Sequence, residues 1–123
     1  MGDMTKNFSR DEFACRCGCG GVKVCEYLVE KLQVIREKLG PMHINSGYRC
    51  VSHNLQVGGS PESSHLRGCA VDIRCENSFD RFFLIKYLLQ EGFSRIGIGP
   101  TFIHADLDAE KPQNLIWLYP LPK

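Results

Sequence analysis

The most regular pattern of apolar and polar residues lies between residues 25 and 39. Apolar side chains recur there at spacings of three and four, at Leu28, Leu32, Ile35 and Leu39. This is the period of one face of an α-helix, so the pattern predicts an amphipathic helix over residues 25–39. Gly40 and Pro41 follow directly, and both are typical of a helix end.

A second helix is predicted over residues 79–90, with Ser78 as its N-cap and Gly92 after its end. Its apolar residues are Phe79, Phe82, Phe83, Ile85, Leu88 and Leu89. Near the N-terminus, Ser9 and Glu12 have the spacing of a capping box, which predicts another helix start. Phe8 and Phe13 flank these residues and could form a hydrophobic staple.

Five short apolar runs are typical of β-strands. They span residues 42–45, 69–73, 95–99, 101–107 and 115–119. Gly99 and Pro100 lie between the third and fourth runs and indicate a hairpin. Because helices and strands do not alternate as βαβ units, the order predicts an α+β fold. We expect a small single domain over residues 1–123, with a largely antiparallel sheet and flanking helices.

The segment from residue 46 to residue 69 is rich in Ser and Gly and is predicted to be mostly loop. A loop of this length in a small domain is usually functional or disordered. Several of the chemically interesting residues of the chain lie in it or at its end.

Composition and charge exclude several classes of protein. The chain has 123 residues, of which 43% are hydrophobic and 24% charged, as in one globular domain. Fifteen Lys and Arg residues against fourteen Asp and Glu give a net charge of +1, so we expect no nucleic-acid partner. No apolar run approaches the roughly 20 residues of a membrane span, so we expect no membrane insertion.

The N-terminal residues bear on where the protein is made. The first thirteen residues contain several charged side chains and lack an apolar core, so we expect no secretory signal peptide. The protein is therefore expected to be synthesised in the cytoplasm. In that compartment its seven cysteines would be thiols or metal ligands rather than disulfides.

Three residues together suggest a metal site: His65, Asp72 and His104. His65 lies near the end of the long loop, whereas Asp72 and His104 lie inside apolar strands. A carboxylate buried in a strand needs a partner, because an unpaired buried charge is very costly. Two histidines and one carboxylate are the ligands of hydrolytic zinc sites that keep a fourth position for water. The alternative is that each residue is hydrogen-bonded separately.

Three further residues are candidates for chemistry near this site. Asp106 is two residues from His104, so both face the same side of a strand. It could orient His104 or accept a proton as the general base. Arg49 could bind a carboxylate through its planar guanidinium, and His53 is a second candidate for the base.

The cysteines offer an alternative metal site. Cys15, Cys17, Cys19 and Cys25 could supply four thiolates to a structural zinc or an iron–sulfur cluster. Their spacing is poor for this, because structural zinc sites typically place two to four residues between paired cysteines. Cys50 and Cys69 border the long loop, and a disulfide between them is a further possibility that the sequence leaves open.

Several motifs of the chain resemble a known family. They are Phe8-Ser9-x-x-Glu12-Phe13-x-Cys15-x-Cys17-Gly18-Cys19-Gly20, Asn45-Ser46-Gly47-Tyr48-Arg49-Cys50, Ser64-His65-x-x-Gly68-x-Ala70-x-Asp72-Ile73, Gly97-Ile98-Gly99 and Phe102-Ile103-His104-x-Asp106. These motifs resemble the zinc D-Ala-D-Ala carboxypeptidase family, especially its small phage-type members. The resemblance covers residues 7–108 and implies the small α+β fold that this family shares with the hedgehog signalling domain.

The resemblance also implies a function. His65, Asp72 and His104 would bind one Zn²⁺ ion, and Arg49 would contact the terminal carboxylate or the backbone of a peptide. Ser64, which precedes His65 in its motif, is expected to bind the substrate together with Arg49. Family members cleave peptidoglycan stem peptides as carboxypeptidases or as endolysin-type endopeptidases. We therefore expect a zinc metallopeptidase, monomeric, whose partner is the stem peptide.

One position departs from the family pattern. Many members have Glu or Asp as the general base three residues before the last histidine ligand, and Thr101 stands there in this chain. Either Asp106 or His53 would then act as the base, or the base is held elsewhere in the chain, or catalysis is weak. Alternatively, the chain is a non-catalytic, zinc-containing hedgehog-like module that binds the cell wall or belongs to a phage particle. Action on the bacterial cell wall without a signal peptide would fit a phage or prophage protein.

Overall fold

The computed structural model describes residues 2–119, which form three α-helices, two 3-10 turns and five strands. The helices are α1 (Glu26–Leu39), α2 (Val51–Gln56) and α3 (Ser78–Gln90), and the 3-10 turns are Arg10–Phe13 and Ser64–Arg67. The strands are β1 (Ile44–Ser46), β2 (Ala70–Arg74), β3 (Arg95–Ile98), β4 (Phe102–Asp106) and β5 (Leu115–Leu118). None of the helices in this part of the chain has the length and apolar character that a membrane crossing requires.

The five strands form one sheet in the order β1-β2-β4-β3-β5. Strand β2 pairs antiparallel with β1 and with β4, and β4 pairs antiparallel with β3 in the predicted hairpin. The last strand, β5, pairs with β3 in the parallel direction. The α+β prediction is therefore confirmed, with a mixed sheet that is antiparallel except at this edge.

The hydrophobic core lies between one face of this sheet and the helices α1 and α3. Side chains alternate across each strand, so every second residue points into the core. The core residues of these elements include Leu28, Val29, Leu32, Ile35, Val71, Ile73, Leu84, Leu88, Ile96, Ile103 and Ala105. The residues between them, such as Asp72 and His104, are left on the opposite face, where the candidate site is formed.

The N-terminal turn has the predicted capping interactions. The backbone N–H of Ser9 donates to the Glu12 carboxylate at 2.7 Å. Phe8 and Phe13 are both buried, and their ring centroids are 5.9 Å apart, as expected for a hydrophobic staple. These contacts attach the turn Arg10–Phe13 to the core and place the cysteine-rich loop directly after it.

Two local features differ from the sequence prediction. Helix α2 forms inside the segment that was predicted as loop, and it begins after Cys50, whose Sγ accepts the backbone N–H of His53 at 3.4 Å. A six-residue helix is too short to show a clear apolar period. The N-cap of α3 is Asn77 rather than Ser78, because the Asn77 side chain accepts the backbone N–H of Asp80 at 2.8 Å.

Candidate metal centre

Asp72 of β2 and His104 of β4 lie directly opposite each other in the sheet. The same row continues across the neighbouring strands with Gly97 of β3 and Trp117 of β5. Nδ1 of His104 is 2.9 Å from Oδ1 of Asp72. Strand register alone therefore brings together two of the three predicted metal ligands.

His65 reaches the same point from the 3-10 turn Ser64–Arg67. Ser63 caps this turn by accepting the His65 backbone N–H at 3.2 Å, and Gly68 ends it in the left-handed region at a φ of 72°. The His65 residue is 3% exposed, and its Nε2 lies 3.3 Å from Oδ1 of Asp72. The ligand atoms of His65, Asp72 and His104 all lie within 4.8 Å of one another.

The hydrogen bonds of the two imidazoles fit a cation between the three side chains. Nδ1 of His65 is 2.6 Å from the carbonyl oxygen of Gly47, which can only accept, so this nitrogen carries a proton. Nε2 of His104 likewise donates to the Asp106 carboxylate at 2.7 Å. The other two nitrogens both face the Asp72 carboxylate. A cation bound there would replace the protons that these nitrogens otherwise donate to Asp72, and would take up their lone pairs. Three acceptors that converge in this way are the donor set of a zinc site.

The surroundings keep Asp72 ionised. Burial raises the pKa of its carboxyl, but hydrogen bonds from His104 and His65 outweigh this effect and hold the pKa well below its usual range. Burial lowers the pKa of His104, whereas its bonds to Asp106 and Asp72 raise it, and the net effect is a raised pKa. An ionised carboxylate is thus available beside both imidazoles, as metal ligation requires.

Asp106 is buried and already engaged by three donors. Its Oδ1 accepts from Nε of Arg95 at 2.8 Å and from the backbone N–H of Asp108 at 3.1 Å. Its Oδ2 accepts from His104, as described above. Burial raises the pKa of the Asp106 carboxyl, but these bonds outweigh it and leave the pKa lowered. Such a carboxylate is well placed to hold the His104 ring and is a weak proton acceptor. Its role as the general base stays a prediction.

Arg49 lies beside Asp72, and its side chain is largely buried. Its Nε donates to the Ser46 hydroxyl at 3.3 Å and its Nη1 to the Asn54 side chain at 3.2 Å. Its Nη2 is 3.5 Å from Oδ2 of Asp72. A guanidinium has five N–H groups, so these contacts orient its plane and leave two N–H groups for a further anion.

A cavity with a volume of about 360 Å³ lies over this row of residues. Its walls include Arg49, His65, Asp72, His104, Trp117 and Tyr119. Gly97 has no side chain in this row, and a Cβ there would lie 2.5 Å from the Tyr119 ring and 2.6 Å from Nε1 of Trp117. The glycine therefore allows the two aromatic rings of the C-terminal segment to cover the centre of the sheet.

Two other predicted site residues have different surroundings. Ser64 lines the cavity but is 2% exposed, and its hydroxyl donates to the Asp108 carboxylate at 2.7 Å. This hydroxyl therefore has a partner within the protein, and a role in substrate binding stays a prediction. His53 lies on α2 and is not among the residues that line the cavity, so the structure does not bring this candidate base to the metal centre.

Some site residues were missed by the sequence reasoning. They are Arg95, Asp108, Trp117 and Tyr119. Arg95 gave a usable signal, because a charged residue at the start of an apolar strand needs a buried partner, as Asp72 does. Asp108 is two residues beyond Asp106, as Asp106 is two residues beyond His104, and this spacing could have made it a candidate site residue as well. The two aromatic residues carried no such signal, because nothing in the sequence shows that β5 lies beside β3.

The comparison with known proteins identifies the family. A family model described as Peptidase M15 matches residues 6–106, which is most of the chain. The chain belongs to the peptidase M15 family. The zinc D-Ala-D-Ala carboxypeptidase of Streptomyces albus G is 35% identical to it over 74 residues. This similarity covers 58% of the chain and 28% of that relative, so the chain corresponds to less than a third of the relative's length.

Membership of the M15 family confirms the resemblance that the sequence motifs indicated. The family and the Streptomyces relative also indicate zinc as the cofactor, in agreement with the donor set of the cavity. The family match ends at Asp106, so Asp108 and the aromatic residues of the C-terminal segment lie beyond it.

Proposed function

We propose that this M15 peptidase hydrolyses peptide bonds in peptidoglycan stem peptides, with zinc held by His65, Asp72 and His104. The observation that carries the proposal is the convergence of these three ligands in a cavity that also contains Arg49. When bound, zinc supplies a Lewis acid that polarises a carbonyl group and lowers the pKa of a water molecule. The name of the Streptomyces relative, a zinc D-Ala-D-Ala carboxypeptidase, supports the same substrate class.

The residues around the ligands prepare them for metal binding. The Gly47 carbonyl accepts the Nδ1 proton of His65, and Asp106 accepts the Nε2 proton of His104. Each contact selects one tautomer and prevents the ring from turning, which raises metal affinity in sites of this kind. Nε of Arg95 in turn donates to Oδ1 of Asp106 at 2.8 Å. A residue of the neighbouring strand β3 therefore helps to keep Asp106 in the position in which it holds the His104 ring.

Arg49 gives the cavity a preference for substrates that end in a free carboxylate. Its guanidinium is oriented by Ser46 and Asn54 and lies next to the metal ligand Asp72. A planar guanidinium binds a carboxylate through two parallel hydrogen bonds. A peptide bound in this way has its last peptide bond near the ligands, which favours the carboxypeptidase reaction over cleavage within the chain.

Two versions of one stem peptide test this role, one with a free C-terminal carboxylate and one with a C-terminal amide. The wild type is expected to cleave the free acid about 10-fold to 100-fold faster, because a charge-assisted hydrogen bond contributes about 1.5–3 kcal/mol. Arg49→Lys should lose most of this preference, whereas Arg10→Lys, at an exposed position, should retain it. Equal rates on both peptides with the wild type would exclude the proposed role of Arg49.

A second candidate function is a non-catalytic module that binds the cell wall. The observations that favour it are Thr101, exposed where the resemblance expects an acidic residue, and the fully engaged carboxylate of Asp106. Incubation with isolated stem peptides distinguishes the two functions. Hydrolysis that stops when a chelator is added supports the peptidase, and sedimentation with intact peptidoglycan without any hydrolysis supports the binding module.

A further inference from the structure

A second group of metal-ligating side chains lies outside the cavity, in the loop that follows the N-terminal turn. The Sγ atoms of Cys15, Cys17, Cys19 and Cys50 all lie within 4.8 Å of one another. The sequence-based alternative included Cys25, and the structure corrects this. Cys25 is exposed at the start of α1, and its place is taken by Cys50, which is 35 residues beyond Cys15 in the chain.

Two glycines allow the loop to bring three closely spaced cysteines together. Gly18 and Gly20 have φ values of 84° and 79°, in the left-handed region that residues with a Cβ rarely adopt. The backbone N–H of Cys15 donates to the Gly21 carbonyl at 2.9 Å and closes the loop. The strain that a Cys-x-Cys-x-Cys spacing would otherwise produce is thereby avoided, and the sulfur atoms converge.

The distances between the sulfur atoms match a tetrahedral thiolate site. Sγ of Cys15 is 3.4 Å from that of Cys17 and 3.7 Å from that of Cys50, and Cys17 and Cys50 are also 3.7 Å apart. Four sulfur atoms at the zinc–sulfur distance of about 2.3 Å are about 3.8 Å apart in a tetrahedron. All seven cysteines lie within residues 2–119 and are free thiols there, so disulfides do not explain the group.

Backbone N–H groups point at three of the four sulfur atoms. Gly21 donates to Cys19 at 3.3 Å. The N–H of Cys50 donates to Cys15 at 3.4 Å, and Sγ of Cys50 accepts from His53 at 3.4 Å. Hydrogen bonds to sulfur stabilise the negative charge of thiolates in metal sites. The backbone around this group is therefore arranged for ionised cysteines.

We propose that a second zinc ion, with a structural role, is bound by four thiolates: Cys15, Cys17, Cys19 and Cys50. Four protein ligands complete a tetrahedral zinc site, so no position is left for water or substrate. This site would join the N-terminal loop to the residue that directly follows Arg49. It uses none of the ligands in the cavity.

The position of the cysteine group connects it to the metal centre in the cavity. The segment 47–50 carries the carbonyl that holds His65, the guanidinium of Arg49 and one of the four thiols. It also packs against the N-terminal turn, since the Tyr48 N–H donates to the Phe13 carbonyl at 2.9 Å. A metal ion bound on one side of this segment would stabilise the positions of the residues that it contributes to the cavity.

The zinc content of the purified full chain tests the proposal, measured after dialysis against a chelator of moderate affinity. We expect two zinc ions per chain in the wild type and one in Cys17→Ser, in which an exposed ligand is lost. Cys25→Ser is the matched control, because Cys25 is also exposed but lies outside the group, and it should retain two. His65→Ala should retain one, because its loss affects only the site in the cavity.

Cobalt absorption provides a second measurement that needs no change at a cysteine. When Co²⁺ replaces zinc in His65→Ala, we expect strong thiolate-to-cobalt charge-transfer bands that saturate at one ion per chain. A zinc content of Cys17→Ser equal to that of the wild type, or a cobalt spectrum without thiolate bands, would overturn the proposal. Because neither measurement involves peptide hydrolysis, its outcome is independent of whether the proposed peptidase function holds.

Discussion

The imidazole of His104 shows how single residues determine the chemistry of the cavity. Its Nε2 is 2.7 Å from Asp106 and its Nδ1 is 2.9 Å from Asp72, so the ring lies between two carboxylates. When Nε2 donates its proton to the buried Asp106, Nδ1 can give its lone pair to a cation beside Asp72. A cation at that point satisfies both groups. Asp106 is therefore best understood as the group that positions a ligand.

Asp106→Asn separates this positioning role from the role of general base. If Asp106 holds His104, the substitution should weaken zinc binding about 10-fold to 100-fold, as the loss of such partners does in other metal sites. Zinc affinity is measured by competition with a chelator, and activity is measured at saturating zinc. Asp11→Asn, an exposed change of the same type, should alter neither. Unchanged zinc affinity with a large loss of rate would instead identify Asp106 as the base.

Asp108 makes the stability of the protein dependent on pH. Burial raises the pKa of its carboxyl, but the Ser64 hydroxyl, the Glu110 N–H and the Arg67 guanidinium outweigh this, and the pKa is lowered. The unfolded chain therefore binds this proton more readily than the folded one. The stabilisation is complete above the unfolded pKa of about 3.9 and is lost as the pH falls through the lower folded value.

Urea unfolding of wild type and Asp108→Asn at several pH values checks this dependence. At pH 7 the variant should have a free energy of unfolding lower by about 1–3 kcal/mol, the usual cost of removing a buried hydrogen-bond partner. Below about pH 4 the difference should shrink, because the wild-type carboxylate becomes protonated. Asp11→Asn should show no such difference at any pH. A difference that stays constant down to pH 3 would contradict the account.

At the scale of elements, the sequence predicts long regular elements well and short irregular ones poorly. Helix α1 was predicted within one residue of Glu26–Leu39, because fourteen residues repeat the apolar period several times. Helix α2 was not predicted, since its six residues show no such period and its first turn depends on a cysteine cap. The cavity ligands could be recognised as polar residues in apolar or motif surroundings. The proximity of Cys15 and Cys50 could not be recognised from the sequence, because only the fold brings these two residues together.

Helix α2 contributes to the cavity through its single buried residue, Asn54. The Asn54 side chain accepts from Arg49 at 3.2 Å and donates to the carbonyl of Ser60 at 2.8 Å. Asn54→Ala should therefore raise KM about fivefold with little change in kcat, which corresponds to one lost hydrogen bond of about 1 kcal/mol. Gln56→Ala, at an exposed position of the same helix, should leave KM unchanged. An effect on kcat alone would contradict a role in orienting Arg49.

At the scale of the whole molecule, the segment 47–50 lies between two groups of potential metal ligands. On one side the sheet supplies Asp72 and His104, and on the other side the N-terminal loop supplies three cysteines. The apolar core supports only the opposite face of the sheet. The face that carries the cavity is held by polar contacts, so a metal ion bound there would add to the stability of the fold.

Zinc should accordingly stabilise the folded chain. A ligand present at 100 times its dissociation constant stabilises the folded state by about 2.7 kcal/mol per site. Thermal unfolding with and without zinc should show a smaller increase in Tm for His65→Ala than for the wild type, because one site is lost. His43→Ala, an exposed histidine outside the cavity, should behave as the wild type. Equal increases in His65→Ala and the wild type would show that His65 does not bind the ion.

The central claim is that His65, Asp72 and His104 form the zinc centre of a peptidase that acts on peptidoglycan. Purified peptidoglycan incubated with the zinc-loaded chain, followed by mass spectrometry of the released fragments, tests it in one measurement. We expect fragments that have gained one water at a peptide bond with the wild type and with His43→Ala. We expect none with His65→Ala or after chelation. Fragment release by His65→Ala at the wild-type rate, or none by the zinc-loaded wild type, would contradict the claim.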